Sequence, residues 1–151
     1  MEISGKIAAI LSIKGSQVWS LPPSASVYDA IAMMAEKKVG SLLVMQKEKL
    51  LGIISERDYA RKVILCGRSS HDTPVSDIMT SPVMTVSPSH TVAECMRLVT
   101  DQRIRHLPVL DQEKVVGMVS IGDLIKWVIT EQEETIRHLE SFITGTHTYR
   151  S

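Results

Sequence analysis

The chain of 151 residues is poor in cysteine and in aromatic residues, and it carries no net charge. Its two cysteines, Cys66 and Cys95, form neither a CxxC pair nor a disulfide framework, which favours a reducing, cytoplasmic setting. Non-specific binding of nucleic acid needs a basic surface, and 17 basic against 17 acidic residues argue against that partner. No apolar run approaches the roughly 18 residues of a membrane span, so we expect no membrane partner.

The motifs of the common catalytic and nucleotide-binding folds are also missing from the sequence. It contains no P-loop Gly-Lys-Ser/Thr, no G-x-G-x-x-G fingerprint and no G-x-S-x-G nucleophile elbow. The histidines, at positions 71, 90, 106, 138 and 147, show no metal-ligand spacing. We therefore expect a protein that is not an enzyme and that holds neither a metal ion nor a catalytic cofactor.

An internal duplication organises most of the chain. The segment Val18–Ile64 aligns without a gap with Val83–Ile129, 65 positions later. Within these segments, GIISERD at 52–58 and GMVSIGD at 117–123 share the pattern Gly-x-x-Ser-x-x-Asp. The repeat predicts two copies of one structural unit.

Both copies predict the same order of secondary structure. A short extended stretch leads through a Pro/Ser turn to a capped helix, two apolar runs form a hairpin, and a second helix follows. In the two copies the stretch covers 18–21 and 83–86, the first helix starts at the capping boxes Ser26-x-x-Asp29 and Thr91-x-x-Glu94, the hairpin strands cover 41–45 with 50–54 and 106–110 with 115–119, and the second helix starts at Ser55 and Ser120.

The predicted fold is α+β, with two pseudo-twofold-related β-α-β-β-α units whose short sheets pack against helices. Because one such unit buries too little surface to be stable alone, we expect the two to share one core. Thr73-Pro74 predicts a short helix in the linker, with Pro at its first position. The predicted domains are a lead-in helix of the first unit at 1–17, the first unit at 18–66, a linker and lead-in of the second unit at 67–82, the second unit at 83–130, and a C-terminal helical extension and tail at 131–151.

A long helix is predicted from Asp123 to about Ile143, because neither Gly nor Pro interrupts this segment. One side of it carries a stripe made of Ile125, Ile129, Gln132, Ile136, Leu139 and Ile143. An isolated helix in water is marginally stable, so the stripe should pack on a partner. That partner is either the N-terminal helix of the same chain or a second subunit, and we expect a homodimer.

Taken together, these features resemble a tandem pair of cystathionine-β-synthase (CBS) domains, an arrangement called a Bateman module. The resemblance covers residues 10–130. It is carried by the duplication, by the two Gly-x-x-Ser-x-x-Asp segments, by RIRHLPV at 103–109 and by DIMTSPV at 77–83. It implies a stand-alone CBS pair that binds adenine nucleotides and assembles into disc-shaped dimers.

The Ser-x-x-Asp spacing has two interpretations. By itself it favours a helix cap, in which the Ser hydroxyl accepts from the third helical N–H and the acid reaches back. A helix N-terminus also suits a phosphate, because its free N–H groups and its dipole face the anion. Gly52 and Gly117 precede the motifs within strands, where glycine often marks the close approach of another backbone or of a ligand.

Basic residues in the second unit strengthen the ligand interpretation. Arg103 and Arg105 alternate and would point to one side, and guanidinium forks match phosphate oxygens, although a solvated loop is the simpler interpretation of the two residues. His106 is either a ligand-binding residue or a core or surface histidine with a hydrogen bond. Pro108 removes a ladder donor, so its strand should be an edge or irregular there. Trp19 could stack on a base, but burial in the core is favoured.

The resemblance implies roles for individual residues. The Ser and Asp of each motif hold phosphate or ribose, with Asp58 and Asp123 as the ribose clamps, and adenine lies near Gln17–Ser20 or Thr80–Thr85. The residues expected to bind ligand are Thr80, Val83, Thr85, Arg103, Arg105, His106, Pro108, Ser120 and Asp123 in the second unit, and Ser20, Lys38, Ser41, Ser55, Arg57 and Asp58 in the first. The first unit has glycine and serine where the second has Arg105 and His106, so the second site should bind more tightly.

The leading hypothesis is a non-catalytic sensor that binds an adenosine-containing nucleotide in the cleft between the two units. Its occupancy would be transmitted by rearrangement of the dimer or of the terminal helices. AMP or NAD(H) fits best, because one or two phosphate contacts suffice, and ADP and ATP remain open. The alternative is a ligand-independent scaffold whose C-terminal helix binds a protein target that the sequence does not identify.

Overall fold

The computed structural model describes residues 3–144, so the predictions for residues 1–2 and 145–151 lie outside the described residues. The first half contains α1 (Ile7–Lys14), β1 (Ser20–Leu21), α2 (Val27–Lys37), β2 (Ser41–Gln46), β3 (Lys49–Ser55) and α3 (Glu56–Tyr59), which continues as a π-helical turn at Ala60–Ile64. A 3-10 turn at Val75–Asp77 leads to α4 (Val92–Asp101), β4 (His106–Asp111), β5 (Lys114–Ser120) and α5 (Ile121–Thr144). The predicted α+β fold with a long C-terminal helix is confirmed.

An antiparallel hairpin forms the centre of each unit, and the two hairpins have the same register. Ser41 pairs with Ser55, and His106 pairs with Ser120. Each hairpin also has one irregularity, after Val44 in the first and at the corresponding position in the second. The register brings the first residue of one strand beside the Ser of the Gly-x-x-Ser-x-x-Asp motif.

The strand predicted over 83–86 is reduced to a single parallel bridge between Val86 and Val109. In the first unit the Leu43 N–H donates to the Trp19 carbonyl oxygen at 3.0 Å, which anchors β1 beside β2. The residue that corresponds to Leu43 is Pro108, which has no N–H to donate. Pro108 thus explains why the first sheet has three strands and the second has two.

Two hydrophobic clusters are present instead of the single shared core that we predicted. Each cluster is completed by a lead-in segment from the other half of the chain. Ile7 and Ile10 of α1 are buried in the cluster of the second unit, although α1 precedes the first. Val75 and Ile78 of the linker are buried in the cluster of the first unit. Helix α1 therefore packs on the second unit although it precedes the first in the chain, and the exchange of lead-in segments ties the units together.

Gly52 and Gly117 allow these exchanged segments to lie directly on the hairpins. A Cβ atom on Gly52 would lie 2.5 Å from Met79 Sδ and 3.0 Å from the Thr80 carbonyl oxygen. A Cβ atom on Gly117 would lie 2.7 Å from Leu11 Cδ2. Of the two explanations for a glycine in the strand, the structure therefore supports the approach of another chain segment.

The helical turn in the linker starts one residue later than predicted, at Val75. Pro74 precedes the 3-10 turn with extended backbone angles, φ −73° and ψ 149°, so it lies outside the helical turn and not at its first position. The N–H groups of Val75 and Ser76 donate to the carbonyl oxygens of Ala25 and Pro23, at 2.8 and 3.2 Å. These bonds to the first unit hold Pro74 in an extended conformation, and the helical turn starts after it.

The C-terminal helix α5 has 24 residues and is roughly 36 Å long. Near its start, Trp127 Nε1 donates to the Ser4 carbonyl oxygen at 2.8 Å, and the Ser4 N–H donates to Glu131 at 3.3 Å. From position 132 to position 140 every side chain is exposed. The N-terminal segment thus packs only on the first part of the helix within residues 3–144. None of the helices in that range is long and apolar enough to span a bilayer.

Candidate functional site

A cavity of about 440 Å³ lies between the two units, a volume typical of small-molecule sites. Its wall includes Gln17–Trp19 and Lys38–Ser41 from the first half of the chain, His106, Met118 and Ser120 from the second unit, and Lys14 from the end of α1. A larger groove of about 590 Å³ lies between α2 and α3, but its wall is mainly apolar and, unlike the cavity, contains no motif Ser; Asp58 and Asp123 line neither of the two. We therefore place the candidate site in the cavity between the units.

Both Gly-x-x-Ser-x-x-Asp motifs form complete capping boxes. The Asp123 N–H donates to Ser120 Oγ at 3.1 Å, and the Ser120 N–H donates to Asp123 Oδ2 at 2.8 Å. The corresponding distances for Asp58 and Ser55 are 3.3 and 3.0 Å. The cap interpretation is therefore confirmed for both copies, and the cap holds each carboxylate in a fixed position beside its helix N-terminus.

A lysine from the N-terminal helix contacts the motif of the second unit. Lys14 Nζ lies 2.6 Å from Asp123 Oδ2 and 2.8 Å from the Met118 carbonyl oxygen. Burial raises the pKa of Asp123, but hydrogen bonds from Lys14 and from the Ser120 backbone outweigh it and hold the pKa below its usual value. Asp123 is therefore ionised at neutral pH.

Sequence reasoning missed Lys14, because Lys14 precedes the repeat and is 109 positions from Asp123. Extending the repeat alignment beyond Val18 would have shown a difference, since Met79 occupies the position that corresponds to Lys14. The motif of the first unit has another partner: Lys62 Nζ of its own helix lies 3.1 Å from Asp58 Oδ1. The two motifs therefore lie in different electrostatic surroundings.

The cavity mixes residues from the two predicted sites. Ser120 and His106 of the second unit share its wall with Lys38 and Ser41 of the first. Trp19 also lines it and is half-buried, with Lys37 Nζ 4.2 Å from the centroid of its ring. The expectation that Trp19 is buried in a core is therefore wrong, because its ring lies at the edge of the first unit's cluster, where the cavity begins.

Arg103 and Arg105 lie outside the wall of this cavity, and both are exposed. The φ angle of Arg103 is 54°, a left-handed conformation, so the backbone before β4 is not extended and the two residues do not alternate as predicted. Arg57 Nη1 of the first unit is 3.5 Å from the Arg103 carbonyl oxygen. The structure thus brings Arg103 to the motif helix of the first unit, not to Ser120.

The two segments predicted to lie near adenine are also exchanged between the units. Gln17–Trp19 lies in the cavity with Ser120, whereas Ser20, the next residue, is exposed in β1. Thr80 exchanges two backbone hydrogen bonds with Ile53 of β3, at 2.9 and 3.1 Å. The remaining predicted residues of the second segment are Val83 and Thr85, which are both half-buried. The segment before the first unit thus lies beside the motif of the second unit, and the segment before the second unit begins beside the motif strand of the first.

His106 lines the cavity as an uncharged side chain at neutral pH. Burial, followed by the charges of Lys14 and Arg105, lowers the pKa of His106 below its ordinary value of 6.5. In this state the imidazole can both donate and accept a hydrogen bond, but it does not supply a positive charge for a phosphate.

The lowered pKa of His106 predicts that the protein loses stability as the pH falls below about 6.5. The unfolded chain takes up the proton at a higher pH than the folded chain does, so acid favours unfolding. His106→Ser, which copies Ser41 of the other unit, should reduce this dependence in urea unfolding between about pH 7.5 and pH 5. The exposed-residue control His138→Ser should retain it; an equal slope in His106→Ser and the unmodified protein would contradict the prediction.

Comparison with known proteins identifies the family. The model of the CBS domain matches residues 11–64 and 75–130. The mitochondrial CBS domain-containing protein CBSX3 of Arabidopsis thaliana is 44% identical over 139 residues, which are 89% of this chain and 67% of CBSX3. The CBS domain-containing protein YhcV of Bacillus subtilis is 31% identical over 109 residues, or 72% of this chain and 77% of YhcV.

Solved structures agree with the sequence comparisons. A protein with CBS domains from Burkholderia ambifaria has a TM-score of 0.82 and 49% identity, and the match covers 85% of this chain and 96% of that one. The two matched regions, 11–64 and 75–130, each contain one of the two repeats. The chain belongs to the CBS domain family and carries two CBS domains in tandem.

Proposed function

We propose that this CBS pair is a non-catalytic regulatory module that binds an adenosine-containing nucleotide in the cleft between its two domains. The cavity that joins Ser120 to Gln17–Trp19 and Lys38 carries the proposal. A CBS domain pair of the same fold, 22% identical to this chain, has been solved with 5′-methylthioadenosine and S-adenosyl-L-methionine, which supports adenosine as the shared part of the ligand. The Burkholderia ambifaria relative carries a provisional assignment to signal transduction.

Each part of a nucleotide has a suitable partner in the cavity wall or, for Asp123, directly behind it, bonded to Ser120 and Lys14. The adenine would take the apolar end beside Val18 and Trp19. Asp123 would accept hydrogen bonds from the ribose hydroxyls. A phosphate would face the N-terminus of α5 and Lys38. This arrangement favours AMP or NAD(H), and ADP and ATP remain within the proposal.

The second predicted site is the pseudo-symmetric counterpart of the first. It would combine Ser55, Arg57 and Asp58 of the first unit with the segment Thr80–Thr85 and with Arg103. The contact between Arg57 and Arg103 supports this grouping. We keep the ranking in which the Asp123 site binds more tightly, since its cavity between the domains is already formed.

Ligand binding should stabilise the folded chain. With AMP or NADH at about 100 times its dissociation constant, we expect a gain of about 2.7 kcal/mol, which corresponds to a rise in Tm of roughly 5–10 °C. Thermal unfolding and calorimetric titration with AMP, ADP, ATP, NADH and S-adenosylmethionine would measure this. The proposal would be abandoned if none of these ligands produced a shift in Tm or a heat of binding.

The exposed part of α5 supports transmission through a homodimer. Ile136 and Leu139 are 51% and 50% exposed, and they continue the apolar stripe that the sequence predicted. A CBS-CP12 relative from cyanobacteria is hexameric, which supports assembly among related chains. We place this dimer in the cytoplasm because both cysteines are free, although the Arabidopsis relative is named as mitochondrial.

The same helix favours the second candidate function, a ligand-independent scaffold. Its exposed face, from position 132 to position 140, is long enough to bind a protein partner. In that case, charge substitutions at 131–134 should abolish capture of the partner, and nucleotide addition should change neither capture nor Tm. A thermal shift with AMP that also alters the oligomeric state would instead favour the sensor.

A further inference from the structure

Lys14 lies where an incoming nucleotide would meet Asp123. Its ammonium group donates to Asp123 Oδ2 at 2.6 Å and to the Met118 carbonyl oxygen at 2.8 Å, and the side chain lines the cavity with Ser120 and His106. The carboxylate that would hold the ribose is therefore already bound by a cation of the same chain. The ammonium group and the Ser120 N–H both donate to Oδ2 and leave Oδ1 to the ligand, but a ribose that binds both carboxylate oxygens has to displace the ammonium group from Oδ2.

The ion pair with α1 is found in only one of the two repeats. The other repeat has Met79 at the position that corresponds to Lys14, and its Asp58 pairs with Lys62 instead. Helix α1 is anchored by Ile7 and Ile10, which are 0% and 5% exposed. The ammonium group lies at the end of a long, flexible stem in the last turn of α1, so it can move while the helix stays in place.

We infer that Lys14 is a selectivity residue, which favours adenosine ligands with a phosphate over adenosine ligands without a charge. The inference rests on the proposed nucleotide site. In the free protein the ammonium group of Lys14 occupies Asp123. When a nucleotide binds, its ribose hydroxyls replace the ammonium group at the carboxylate, and its phosphate becomes the new partner of the ammonium group.

The preference follows from the cost of separating the ion pair. The side chains of Lys14 and Asp123 are 36% and 24% exposed, so water solvates each of them only in part. A nucleoside supplies hydroxyls to the carboxylate but leaves the ammonium group without an anionic partner, which costs a charge-assisted hydrogen bond. A nucleotide supplies a new partner to both groups. Lys38, the other lysine of the cavity wall, makes no ion pair within the described residues, so it can attract phosphate without excluding a nucleoside.

Calorimetric titration of the full chain and of Lys14→Met would test this role. The probes are AMP, adenosine and 5′-methylthioadenosine, and methionine copies the residue of the other repeat. We expect the unmodified protein to prefer AMP, and this preference should fall by about tenfold in Lys14→Met. Adenosine and 5′-methylthioadenosine should bind more tightly to Lys14→Met than to the unmodified protein, because the ammonium group no longer competes for Asp123.

Three control variants separate selectivity from a general effect on structure. Lys14→Arg retains the charge and should retain the preference for AMP. Lys38→Met should weaken AMP without tightening adenosine, and Lys49→Met, at an exposed lysine of the β2–β3 hairpin, should change neither affinity. An unchanged ratio of the two affinities in Lys14→Met, or an equal loss of both, would overturn the role of Lys14 while leaving the site intact. Absence of AMP binding to the unmodified protein and to all variants would overturn the nucleotide site itself, and this inference with it.

Discussion

Asp123→Ala is expected to weaken AMP binding by about 10- to 100-fold, which corresponds to the loss of charge-assisted hydrogen bonds to the ribose. The carboxylate is held beside the cavity by the Ser120 N–H and is ionised at neutral pH, so the ribose hydroxyls meet an acceptor of fixed position once they replace the ammonium group of Lys14. Asp58→Ala should have a smaller effect, because it changes the counterpart site. Calorimetry on the two variants would measure both losses.

Asp123 also caps α5, so its removal has to be separated from a loss of stability. Glu94→Ala provides a matched control, because Glu94 forms the same capping box with Thr91 at the start of α4, and Thr91, unlike Ser120, does not line the cavity. We expect Glu94→Ala to lower the Tm and to leave the AMP affinity unchanged. If Asp58→Ala weakened binding more than Asp123→Ala, the ranking of the two sites would be wrong.

Gly52→Val is expected to lower the free energy of unfolding by about 1–3 kcal/mol, the usual cost of overpacking a filled site. A Cβ atom at this position would lie 2.9 Å from Met79 Cγ and 3.0 Å from the Thr80 carbonyl oxygen. The second contact is with backbone that is hydrogen-bonded to β3, so the linker would have to move away from the first unit. Urea unfolding would measure the change.

Two further variants test whether the linker is the cause. Gly52→Ala combined with Met79→Ala removes the side-chain clash and should recover part of the stability lost in Gly52→Ala alone. Gly122→Ala should not destabilise, because its Cβ atom would meet only Ser120 Oγ at 3.5 Å and alanine favours the helix by about 1 kcal/mol. Wild-type stability in Gly52→Val would refute the close packing of the linker on β3.

Local features of the fold could be predicted because their causes lie within a few residues. Thr91 and Glu94 are three positions apart, and the complete capping box was predicted from that spacing alone. Arg103 shows where such reasoning failed. Its alternation with Arg105 assumed an extended backbone, whereas the turn between α4 and β4 places Arg103 in a left-handed conformation that non-glycine residues adopt infrequently.

The sequence by itself determined the duplication, the hairpins, the helix caps and the long C-terminal helix, since each depends on patterns that repeat within one unit. Only the tertiary structure decided which domain each lead-in segment completes. The two copies present equivalent hairpins, each with a glycine that admits a neighbouring segment, so no local pattern distinguishes packing on the nearer copy from packing on the other. Because α1 packs on the second domain, Lys14 reaches Asp123 across 109 positions, and the cavity joins residues that the sequence had assigned to two separate sites.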